Sequence, residues 1–145
     1  MNKLEEYFFN NLNSEYYEIV TNEIWSSCLL NISNIPPLYS WLSTNYLLEY
    51  YNSDTFLRLV LKDNNRPIGV FFILLDNDSN LISNNDYISE PLFIDDFNLK
   101  KKKKITEDIF NKILDLNNKY KIKLRCNSPL TSKSISHWHF LIYKN

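Results

Sequence analysis

The stretch "FLRLVLKDNNRPIGVFFILL", residues 56–75, constrains the fold more than any other part of the chain. Residues 56–62 and 68–75 are rich in β-branched and aromatic side chains, which suit a pleated, half-buried surface. Between them, Asp63-Asn64-Asn65-Arg66-Pro67 cannot continue a helix and reads as a hairpin loop. Val70 to Leu75 is the longest apolar run and has the length of a buried strand. Gly69, the only glycine, stands near the start of that strand and marks a candidate bulge. A two-stranded hairpin is marginal by itself, so the rest of the chain must supply its cover.

Before the hairpin the expected cover is helical. Leu4, Phe8 and Leu12 have helical spacing in a short first helix, and a second helical stretch is expected over residues 16–30. In "NIPPLYSWLSTNYLLEYYNSD" the two prolines suit the first turn of a further helix. Leu38, Leu42, Tyr46 and Tyr50 then recur every fourth residue, with Trp41 and Leu48 widening the stripe. Tyr39, Tyr46, Tyr50 and Tyr51 are therefore expected mostly in the core or half-buried, as are Tyr16 and Tyr17.

After the hairpin, "YISEPLFI" (87–94) reads as a third strand, at an edge or with broken pairing because of Pro91. Residues 105–118 form an amphipathic helix through Ile105, Ile109, Phe110, Ile113 and Leu114, with Thr106, Glu107 and Asp108 in its first turn. "YKIKLRC" (120–126) alternates as a strand, and "HWHFLIYKN" (137–145) closes the chain as another. The helix between two strands has the form of a β-α-β crossover. The expected fold is α+β: a mixed, mostly antiparallel sheet flanked by helices. Residues 1–145 make one domain, with an N-terminal helical part at 1–34 and the sheet and crossover helix at 35–145.

At 145 residues, 44% hydrophobic and 23% charged, the chain has a globular composition. Its net charge of -1 means that the run Lys100 to Lys104 is a local feature, balanced by acid elsewhere. Cys28 and Cys126 read as reduced core thiols, which points to the cytoplasm. No apolar segment approaches the length of a membrane span, and the first twenty residues do not form a signal peptide.

The order of elements, with "PLYSWLSTNYL", "LRLVLKDNNRPIGVFFILL", "EPLFI" and "KIKLRC", resembles the GNAT acyltransferase superfamily, in wording most like one domain of its FemAB-like branch. The resemblance covers residues 35–127. It implies transfer of an acyl group to an amine, from acetyl-CoA or another acyl-CoA, or from aminoacyl-tRNA. It also implies a turn after the fourth strand, with a basic residue and spaced glycines, whose amides wrap the coenzyme pyrophosphate. The matching positions are Lys100, Lys101, Lys102, Lys103, Lys104 and Ile105. They contain no glycine, so the backbone cannot approach phosphate as closely and charge would have to hold it. The alternative is a non-catalytic GNAT-like domain that binds a protein partner or a nucleic-acid backbone such as tRNA. A homodimer, or a second GNAT-like domain as partner, is also open.

The candidate catalytic residues are Glu90, a carboxylate interrupting an apolar strand, and Cys126, at the end of a strand within reach of His137 across the sheet. A solvent-facing edge explains Glu90 equally well, and core packing explains Cys126. Ser89 is no stronger. His137 and His139 share a strand face but lack a third ligand in any diagnostic spacing, so no metal site is assigned. Solvated surface is the ordinary reading of the lysines, with a phosphate or tRNA-backbone site, or a protein contact, as the alternatives.

Overall fold

In the computed structural model the described residues are 5–7, 10, 17–19, 21–33, 35, 39–51, 56–74, 91–120 and 141, with backbone alone for 17–19 and 116–120. The strands are β1 (Tyr17–Ile19), β2 (Phe56–Asp63), β3 (Arg66–Leu74) and β4 (Leu92–Phe93). The helices are α1 (Asn22–Leu29), α2 (Trp41–Tyr50) and α3 (Leu99–Tyr120). The strands form one sheet in the order β1-β2-β3-β4, antiparallel at each pairing. The fold is α+β, with helices flanking an antiparallel sheet.

The expected hairpin is present, but its turn is tighter than the sequence reading. Asp63 pairs with Arg66, leaving the two-residue turn Asn64-Asn65, with φ of 52° and 64°. Two consecutive left-handed residues match the right-handed twist of the flanking strands, and asparagine tolerates that conformation better than most side chains. The ladder shifts register between Leu61 and Lys62: Leu61 faces Gly69, Lys62 faces Pro67, and Ile68 is the extra residue. The bulge thus lies beside Gly69. The freed Ile68 carbonyl accepts from the Ile94 N–H at 2.9 Å, which fastens the end of β4 to the bulge.

Gly69 has a second, steric reason to be glycine. A Cβ there would sit 2.5 Å from the Leu92 carbonyl oxygen and 3.2 Å from side-chain carbons of Leu61 and Phe93. The neighbouring strand leaves no room for a side chain.

β3 is buried from Ile68 through Leu74, on both faces. On one face, Arg58 of β2 lies under α2. The Arg58 guanidinium sits 3.7 Å from the Trp41 ring centroid and donates to Asn45 Oδ1 at 2.7 Å and Thr44 Oγ1 at 3.2 Å. Trp25 of α1, fully buried, donates its indole N–H to the Tyr39 carbonyl at 2.6 Å and stacks on the Tyr39 ring. By strand alternation Leu57, Leu59, Leu61 and Asp63 face the other way, and Asp63 is ion-paired to α3 through Lys101. Ile105, Ile109, Phe110 and Ile113 of α3 join the buried cluster, as their spacing predicts.

Five sequence expectations are corrected. Residues 17–19 are strand, not helix: β1 pairs with Leu59–Leu61 of β2, and the helix begins only at Asn22. α2 starts at Trp41, where Ser40 caps it by accepting from the Ser43 N–H at 3.1 Å, not at the prolines. Its four-residue stripe faces outward: Leu42, Tyr46 and Tyr50 are exposed, while Thr44 and Leu47 are buried. Tyr120 closes α3 and does not open a strand. In the segment read as a final strand, Leu141 is helical and buried, and it is the one described residue there. The strand at 121–126 lies outside the described residues.

Gly69→Ala should destabilise the protein by about 1–3 kcal/mol, because the added carbon overpacks against a backbone carbonyl that moves only if β4 moves. The urea midpoint measures this; an unchanged midpoint would mean that β4 yields freely.

Candidate basic site at the start of the long helix

The lysine run does not form a turn before α3. It is the beginning of α3. Asn98 is the cap: its side chain accepts from the Lys101 N–H at 3.0 Å, and its carbonyl accepts from the Lys102 N–H at 2.9 Å. Leu99 is the first helical residue, and the first turn holds no acid. Glu107 and Asp108, expected there, lie two turns further on. The stretch preceding the helix, Ile94 to Asn98, is the actual β4–α3 connection, and it carries Asp95 and Asp96.

Lysines at a helix start oppose the helix dipole, and these two carboxylates offset part of that cost. Asp95 is held in place by residues 31–33. It accepts from the Ser33 N–H at 2.9 Å and from the Ser33 hydroxyl at 2.5 Å, while its own N–H donates to the Asn31 carbonyl at 3.1 Å. The two Ser33 hydrogen bonds hold the Asp95 carboxyl below the usual carboxylate range, against weak desolvation, and the Lys102 charge adds to them. Asp96 pairs with Arg66 at 3.3 Å, but both side chains are largely exposed and the pair contributes little to stability.

The five lysines therefore differ. Lys101 Nζ lies 2.9 Å from Asp63 Oδ2, at the end of β2. Lys102 is half-buried on the side of Thr106, whose hydroxyl donates to the Lys102 carbonyl at 2.7 Å. Lys100, Lys103 and Lys104 are exposed and, among the described residues, have no ion pair. Below them, an open groove of about 410 Å³ runs between Asp63 and Lys101, Lys104, Asp108 and Asn111 of α3. Its charge is mixed.

Glu90, Cys126, Ser89, His137 and His139 lie outside the described residues. Cys28 is buried at 2% exposure between α1 and the sheet, and burial pushes its thiol up from an ordinary 9.0 to about 11. A protonated, enclosed thiol is core packing and not a nucleophile. No group of three His, Cys, Asp or Glu able to hold a metal occurs among the described residues, and no described helix is long and apolar enough to cross a membrane. Sequence reasoning missed Asp63 as the partner of Lys101, because nothing local marks a strand-end acid as facing a helix some forty residues later.

No protein-family model, curated protein or solved structure matches the chain.

Two outcomes follow from the titrating groups. In Ser33→Ala the Asp95 carboxyl should titrate at higher pH, back toward the ordinary range, as followed by carboxyl NMR; an unmoved titration would mean that Ser33 does not hold it. For Cys28, the folded state keeps its proton to higher pH than the unfolded state. Its contribution is therefore complete below the unfolded value near 9 and is lost as pH rises toward about 11. Urea midpoints should fall more steeply over that window in wild type than in Cys28→Ala.

Proposed function

We propose that the chain is a GNAT-like domain without acyltransferase activity that binds a nucleic-acid backbone through Lys100, Lys103 and Lys104. The helix pair α1 and α2, the antiparallel run β2-β3-β4 and the long α3 follow one another in the order that the GNAT resemblance implies, which supports the fold reading. The observation that carries the function is the set of three exposed lysines on one side of α3 without ion pairs among the described residues. Unpaired ammonium groups at helical neighbour positions form a dense, mobile positive surface, which suits repeated phosphates better than a single shaped ligand.

The same region argues against coenzyme A. A pyrophosphate-wrapping turn would fall between β4 and α3, where this chain has Ile-Asp-Asp-Phe-Asn. That turn has no glycine for close approach, and its two carboxylates would repel the phosphates. The cap also commits the Lys101 amide to Asn98. Acyl transfer through Glu90 and Cys126 is the second reading, favoured by the element order alone.

The test is fluorescence anisotropy of a labelled single-stranded RNA across a salt series. Three phosphate contacts predict a slope of log K against log salt of about -2, and Lys100→Ser/Lys103→Ser/Lys104→Ser should flatten it almost completely. Calorimetric titration with acetyl-CoA should give no heat. A flat slope in wild type, or micromolar coenzyme binding, would overturn this reading, the latter in favour of the acyltransferase.

A further inference from the structure

We infer that Asp63 limits the basic site, withholding Lys101 from an anion and confining the contact to Lys100, Lys103 and Lys104; the inference rests on the nucleic-acid reading above. On a helix, residues three and four apart are neighbours, so Lys100, Lys103 and Lys104 share one side, and Lys101 borders that side as the neighbour of Lys104, both lining one groove with Asp63. There its Nζ is 2.9 Å from Asp63 Oδ2, a charge-assisted hydrogen bond.

Asp63 is not a loose surface acid. It is the last residue of β2, its backbone is held opposite Arg66, and its side chain is only 24% exposed. A phosphate arriving at Lys101 would have to displace a fixed carboxylate and then lie beside it. Like charges at that separation repel, and a half-sheltered pair is screened less by salt than an exposed one. Lys102 is withdrawn in another way, half-buried on the side of Thr106. Of five lysines, three remain for a partner. The hairpin end thus sets both the strength and the width of the basic surface, from a residue some forty positions away in sequence.

The experiment uses the same labelled RNA and salt series. A lost single-strand contact lowers affinity about fivefold near 0.1 M salt and reduces the slope by about 0.7. Lys103→Ser should show that loss, whereas Lys101→Ser should change affinity less than twofold. Asp63→Asn should raise affinity about fivefold and steepen the slope, and the gain should vanish in Asp63→Asn/Lys101→Ser. Thermal melts of each variant establish that the hairpin is intact. If Lys101→Ser loses as much as Lys103→Ser, or Asp63→Asn gains nothing, Asp63 does not limit the site. If the triple lysine variant binds as wild type does, the lysine site itself fails, and the two failures are told apart by that variant.

Discussion

Burial of β3 on both faces is the constraint on which the remaining structure depends. A strand that is apolar on one face needs one cover; Ile68 to Leu74 need two. α1 and α2 supply one layer and α3 the other, and each must then find a polar anchor on the half-apolar neighbour strand. β2 provides both anchors by alternation. Arg58 reaches into the α1–α2 layer, and Asp63 reaches toward α3. The position of the lysine helix is thus a consequence of how a central hairpin is enclosed.

The Arg58 contact also explains the orientation of α2. A guanidinium rising from the sheet must be satisfied where it is partly desolvated, and burial does pull Arg58 below its ordinary value, with the Glu5 charge acting in the opposite direction. Thr44 and Asn45 supply acceptors and Trp41 a ring face, so these residues turn inward. Leu42, Tyr46 and Tyr50 are then rotated to solvent, where Tyr46 and Tyr50 stack on one another at 6.0 Å. Spacing alone ranks the aromatic stripe as the buried face. It fails because a single cation on another element reverses the preference.

The hairpin was legible because its signals are local: composition, a loop that excludes helix, and one glycine. α3 was legible from its period, and Ile105, Ile109, Phe110 and Ile113 are buried where that period puts them. β1 was not legible. "YEI" at 17–19 is three residues long, too short for alternation to register, and it is strand because β2 offers it a partner. The start of α3 was misjudged for a related reason. The apolar period opens only at Ile105 and the GNAT resemblance implies a turn at Lys100 to Lys104, but Asn98 as a cap, with two acids just before it, starts the helix at Leu99. Of the candidate site, the charge was visible and its partners were not.

Those partners change what the charge can be. A free run of five ammonium groups would be an undirected polycation, attracting any anion with an affinity set by ionic strength. Asp63, fixed at the sheet end, engages Lys101 and leaves Lys100, Lys103 and Lys104 disengaged. Because Asp63 is on a separate element from α3, the division persists only while the hairpin and the helix keep their relative places. The basic surface is therefore a property of the assembled fold and not of the lysine sequence: the same five residues on an isolated helix would present another pattern. That dependence is what distinguishes a docking surface from a solvated tail.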